Sequence, residues 1–224
     1  MARLHLLRVF CDERGEGGNP LAVFLDGDDV PATSRQAVAA DLGLSETVFV
    51  DDAELGRLRI FTPAVELPFA GHPTVGTAWL LAAERSPVTA LQVPAGELPV
   101  RYADGRTFVS ARPEWGPEFE WAQLASGADV EALTGPPAGH DHLGVWAWLD
   151  EAAATIRARV FPVRYGIAED EATGSAAAVL CAQLGRAVEI RQGRGSLIVA
   201  RPLADGFVEL GGASALDELR GYHL

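Results

Sequence analysis

Two segments of this sequence set chemistry-bearing residues at places where the backbone can assist them. Ala70-Gly71-His72-Pro73-Thr74 and Thr173-Gly174-Ser175-Ala176 each put a glycine turn ahead of a small, apolar run that predicts a helix, over about 74–84 and about 175–184. A helix N-terminus presents unpaired N–H groups and the positive end of its dipole, so two of them face to face would hold a small anion such as a carboxylate. In the first segment Gly71 permits close backbone approach, His72 titrates near neutrality and Pro73 suits the first helical position. In the second, Thr173 and Ser175 offer hydroxyls and Gly174 a bare backbone, with Asp170 just ahead. The plainer reading makes Ser175 an ordinary N-cap and Asp170 a complement to the dipole.

A third candidate is Glu46, in Ser45-Glu46-Thr47 at the entrance to the apolar strand Val48-Phe49-Val50. A carboxylate carried into an apolar strand is desolvated, which raises its pKa toward the range useful for proton transfer. The competing reading is an exposed Glu at a strand end. Other polar groups read as structural. His140 and His142 flank Asp141 in a Gly/Pro surface loop, Trp146 and Trp148 share one face of a strand as core or interface, and Glu189 to Arg194 is a solvated alternation of charge.

Positioning these groups requires a mixed α and β chain. Strand composition occurs at 4–10, 21–25, 47–50, 58–61, 93–100, 107–109, 145–149, 156–161, 187–191, 196–200 and 207–210. A Gly-rich loop, 15–20, joins the first two, and a helix over about 34–42 is bounded by Ser34 and Gly43. Helical potential returns near 129–134. The two glycine-led helices are all-apolar, which predicts burial, and they lie about half the chain apart, so a duplicated unit with two facing halves is expected.

Composition removes several classes of function. All 18 basic residues are Arg, so no lysine Schiff base, lysine nucleophile or P-loop lysine is available. A net charge of −13 without a basic stripe argues against nucleic acid. No apolar run approaches the roughly 20 residues of a membrane span, and the start has no signal-peptide pattern, so neither a membrane partner nor export is expected. Cys11 and Cys181 stand alone, which predicts no metal site and no disulfide and fits a cytoplasmic location.

The ordered blocks Gly18-Asn19-Pro20-Leu21-Ala22-Val23-Phe24, Leu44-Ser45-Glu46-Thr47-Val48-Phe49, Arg59-Ile60-Phe61-Thr62-Pro63, Glu66-Leu67-Pro68-Phe69-Ala70-Gly71-His72-Pro73-Thr74, Glu169-Asp170 with Ala172-Thr173-Gly174-Ser175-Ala176, and Gln192-Gly193-Arg194 resemble the signatures of the phenazine-biosynthesis PhzF-like isomerases. That family is a branch of the diaminopimelate epimerase fold. The resemblance implies an α+β chain of two pseudo-symmetric domains, each a sheet or barrel around a central helix. They would span 1–104 and 105–205, with a final strand at about 206–224 returning to the first. It also implies a homodimer, for which exposed Trp residues would supply apolar contact.

Carried over residue by residue, the family's acid/base carboxylate falls on Glu46, and its catalytic polar groups on His72 and Asp170. Substrate-binding positions fall on Asn19, Gly71, Gly174 and Ser175. The implied reaction is cofactor-independent proton transfer on a small carboxylate-bearing substrate, in the named member between carbons of a dihydro-hydroxyanthranilate ring. The epimerase branch instead uses two facing cysteines. Here Ala70 stands at the first such position and Glu171 near the second, so a two-thiol racemase is not expected. Glu171 also replaces a proline usual in the family, and the second half is shorter than expected between about 113 and 155. A non-catalytic binding protein and an amino-acid epimerase using carboxylates remain as alternatives.

Overall fold

The computed structural model describes residues 1–224. The first half contains β1 (Ala2–Cys11), β2 (Asn19–Phe24), α1 (Arg35–Leu42), β3 (Thr47–Asp52), β4 (Arg57–Phe61), β5 (Glu66–Leu67), α2 (Gly71–Glu84), β6 (Ala90–Val93), β7 (Gly96–Ala103) and β8 (Arg106–Ala111). The second contains β9 (Glu120–Gln123), α3 (Gly127–Glu131), β10 (Leu143–Asp150), β11 (Thr155–Phe161), α4 (Gly174–Leu184), β12 (Val188–Gln192), β13 (Ser196–Pro202) and β14 (Val208–Tyr222). This is an α+β architecture in which each half carries the same motif. In the first, β4 and β6 pair in parallel with α2 as the crossover; in the second, β11 and β12 pair in parallel with α4 as the crossover.

Strand β14 couples the halves. Its start pairs with β8 and β13, and from Ala213 to Tyr222 it runs antiparallel to β1. The central helices α2 and α4 are apolar on nearly every side and bury most of their residues. One core cluster of 36 buried residues runs from Leu7 to Leu210 through both helices, so the halves share an interior.

Helices α2 and α4 begin at Gly71 and Gly174, earlier than the apolar periodicity alone predicts. Neither has a side-chain cap: Ala70 and Thr173 hold the N-cap places in extended conformation. Pro73 is therefore the third helical residue rather than the first, and its missing N–H is still one that would have had no partner. Ser175 lies inside the helix and is not its N-cap. The two starts meet through their glycines. A Cβ on Gly71 would lie 2.7 Å from the Gly174 backbone, and one on Gly174 would lie 2.9 Å from Gly71 Cα.

Several local expectations change. Pro94-Ala95 is a two-residue turn that splits the strand expected over 93–100 into β6 and β7. Helix α3 starts at Gly127, capped by the Ser126 side chain, and ends at Glu131. Ser34 makes no capping bond at α1, whereas Gly43 closes it at φ 64°. None of the five Trp residues is exposed, contrary to expectation; Trp146 is buried and packs edge-on to Trp148. Cys11 and Cys181 are buried and unpaired.

The glycine contact yields a stability prediction. Gly71→Ala should cost about 1–3 kcal/mol in chemical denaturation, as overpacking against backbone does. Gly135→Ala, where a Cβ meets nothing within 4 Å, should stay within about 0.5 kcal/mol.

Candidate active site

Where the two helix starts meet, a cavity of about 270 Å³ opens between the halves. Its polar lining is Glu46, Thr62, His142, Asp170, Thr173 and Ser175. Much of the rest is apolar or aromatic, including Phe69, Trp115, Phe119 and Tyr165, and no Arg lines it. Phe69 and Trp115 meet edge-on at 6.2 Å, and the turn Pro113–Trp115 brings Gly116 against Ser175.

Glu46 sits between α1 and β3, the strand whose residues Thr47, Val48, Phe49 and Val50 are buried. Its side chain is only 15% exposed, which rules for the desolvated reading over a solvated strand end. Burial raises its carboxyl to about 7, opposed by the Ser45 hydroxyl. Its Oε2 lies 3.4 Å from His72 Nε2, and neither atom has a hydrogen-bond partner. His72 is buried on α2, and loss of hydration lowers its pKa to about 4 despite the neighbouring Asp170. With His72 neutral and Glu46 raised, one proton between Oε2 and Nε2 would complete their bond.

Asp170 comes from the second half. It follows β11, bridged to Val160, and precedes α4. Burial and the Glu46 carboxyl push its pKa upward, while His72, Thr173 and Asn19 oppose the rise. Both of its oxygens are engaged: Asn19 Nδ2 donates to Oδ1 at 2.8 Å and Thr173 Oγ1 to Oδ2 at 2.6 Å.

Asn19 gives its amide protons to Asp170 and to the Ala172 carbonyl, also at 2.8 Å, so it fastens the second half's loop onto β2. It does not line the cavity, and neither do Gly71, His72 or Gly174. These four stand in the shell beneath the wall, while Glu46, Asp170 and Ser175 reach its surface.

Two residues have places that sequence reasoning did not assign. His142 is buried in the cavity wall and not on a surface loop, because Phe119 and Tyr165 pack on its ring. Gln192, read as part of a solvated charge run, is buried; its Nε2 donates to the Asp170 carbonyl at 2.9 Å and to Thr173 Oγ1 at 3.0 Å. The aromatic residues at 115, 119 and 165, in a segment otherwise rich in Pro and Gly, were the available signal.

Thr173, not Glu171, occupies the place on α4 that Ala70 occupies on α2. Glu171 turns away, accepting from Ser196 Oγ at 2.9 Å and from the Arg194 N–H at 2.7 Å. Neither cysteine lines the cavity. No three His, Cys, Asp or Glu side chains converge as a metal centre, and no helix is long and apolar enough to cross a membrane.

Residues 7–134 match the family described as phenazine biosynthesis-like protein, PhzC-PhzF. The trans-2,3-dihydro-3-hydroxyanthranilate isomerase of Pseudomonas aeruginosa is 32% identical over 239 aligned residues, covering 87% of this chain and 84% of its own length. That of Pseudomonas chlororaphis is 34% identical, covering 82% and 84%. A PhzF-family protein from Bacillus anthracis superposes with TM-score 0.82 at 18% identity, covering 100% of this chain and 99% of its own. A protein of Agrobacterium radiobacter described as a proline racemase superposes with TM-score 0.65 at 12% identity, covering 100% and 93%. At these identities the structural matches speak for the fold alone.

The raised Glu46 carboxyl makes stability depend on pH. A group whose pKa is higher in the folded chain contributes fully below its unfolded value of 4.5, and that contribution is lost as pH rises through about 7. Glu46→Gln should therefore stabilise the fold by less than about 1 kcal/mol near pH 5 and by about 2–3 kcal/mol at pH 8. Urea denaturation at the two pH values reads the difference; an equal effect at both would contradict desolvation of Glu46.

Proposed function

The chain belongs to the phenazine biosynthesis-like family and is a PhzF-like isomerase, and from that premise we propose that it moves a proton between carbons of a small ring-bearing carboxylate, with Glu46 as the single acid/base. The observation that carries this reading is the contrast between the two cavity carboxylates. Both oxygens of Asp170 already accept hydrogen bonds, whereas Glu46 Oε2 has no hydrogen-bond partner and its carboxyl is raised to about 7. A base with that pKa can remove a proton and return it near neutral pH.

In the first step the C–H bond breaks, its electron pair enters the adjoining unsaturated system, and Glu46 holds the proton. In the second, the electron pair re-forms a C–H bond at another carbon and Glu46 gives the proton back, so atoms and charge balance. His72, neutral behind Glu46, can donate to the carboxylate or accept from the acid by choice of tautomer. The developing negative charge and the substrate carboxylate are met at the uncapped start of α4, where Ser175 lines the cavity. Asp170, anchored from both sides, holds an amino or hydroxyl group of the substrate.

The compound for which the two Pseudomonas relatives are named is the substrate to try first. In D₂O the wild-type chain should convert it with deuterium incorporated at a ring carbon, followed by NMR. Glu46→Gln should lose about 10²–10⁴-fold in kcat, the usual contribution of a positioned acid/base. Full turnover by a folded Glu46→Gln variant would refute the assignment. The carboxylate pair also admits a two-base epimerisation, because Asp170 shares the cavity with Glu46; chiral analysis of a recovered amino acid would reveal it.

A further inference from the structure

His142 is a cavity residue whose chemistry the proposed reaction leaves unused. It stands just ahead of β10, is 3% exposed, and lines the same cavity as Glu46 and Asp170. Its Nδ1 faces the Glu118 carbonyl oxygen within hydrogen-bond distance. A carbonyl only accepts, so Nδ1 carries the proton and Nε2 of the neutral ring is left as an acceptor. Nε2 is buried and has no partner.

Burial pushes the pKa of the ring down, helped by Arg164; the Glu118 carbonyl and Asp141 oppose that shift. Its orientation is fixed by two aromatic neighbours that also line the cavity. Phe119 lies 3.9 Å away centroid to centroid and tilted by 31°, and Tyr165 stands edge-on at 5.4 Å. A buried acceptor without a partner is costly, and this one belongs to a residue that lines the cavity.

We propose that His142 is a positioning residue for substrate, its Nε2 accepting a hydrogen bond from an amino or hydroxyl group on the ring while Phe119 and Tyr165 hold the imidazole in place. It selects ring acids that carry such a donor over plain ring acids. This rests on the reading of the cavity as the site of a ring-bearing carboxylate. Glu46 and the helix starts supply proton transfer and charge binding, and His142 supplies the recognition of a neutral donor, on the wall formed by the second half.

The test is equilibrium binding of two probes, 3-hydroxyanthranilate, which carries donors, and benzoate, which carries none. His142→Asn keeps a donor toward Glu118 and loses the acceptor at the Nε2 place; His142→Phe keeps the ring packing and loses both; His142→Gln reaches the Nε2 place with an amide oxygen. Asn and Phe should weaken 3-hydroxyanthranilate about tenfold while benzoate changes by less than about twofold, and Gln should restore most of the loss. In turnover, KM should rise with kcat little changed.

Thermal unfolding of each variant separates loss of fold from loss of recognition. Equal effects on the two probes, or none on either, would overturn the role of His142 and leave the proton-transfer reading intact. Failure of the wild-type chain to bind either probe would overturn the ring-carboxylate reading and this proposal with it.

Discussion

The close approach of Gly71 to Gly174 is the constraint on which the site depends. Because neither residue has a side chain, two helices from separate halves bring their N-termini into backbone contact, and neither terminus spends its N–H groups on a side-chain cap. Two positive dipole ends held together repel, and an anion between them relieves that repulsion. The same contact draws Glu46 and Asp170 toward one cavity although 124 residues of sequence separate them. Burial then outweighs the neighbouring hydrogen bonds, and both carboxyls are held above their ordinary range.

A second set of contacts keeps the halves in register around this point. Asn19 on β2 reaches across to Asp170 and Ala172, and Gln192 at the end of β12 grips the same loop from the other side. Asp170 is thereby fixed, whereas Glu46 keeps an oxygen without a protein partner. The division of labour proposed for the two carboxylates thus rests on which of them the surrounding amides and hydroxyls satisfy. Strand β14, shared between both sheets, supplies the larger scaffold for this alignment.

Much of this was legible in the residues themselves. The glycine-led apolar helices and the Glu at the head of an apolar strand carry local signals that survive folding, since all-round apolarity demands burial wherever it occurs. The helices start earlier than the apolar periodicity, and the usual cue, a side-chain cap, is absent: neither Ala70 nor Thr173 makes a capping bond. The burial of His142 and Gln192 is hidden from the sequence for a different reason. Their burial comes from Phe119, Tyr165, Asp170 and Thr173, partners that only tertiary structure brings near, and a polar residue in a Gly/Pro loop or a charge-rich strand gives no local sign of it. Asn19 sits in a recognisable block, yet its two amide protons are committed to the second half, which no spacing along the chain could reveal.

The central claim is that Glu46 is a desolvated carboxyl that changes protonation near neutral pH. Infrared difference spectroscopy of the wild-type chain against Glu46→Gln, titrated in pH, observes that group directly. The account predicts a protonated carboxyl signal present at pH 6, lost with a midpoint at about 7 and missing from the variant. A Glu46 carboxyl already fully ionised at pH 6 would contradict it.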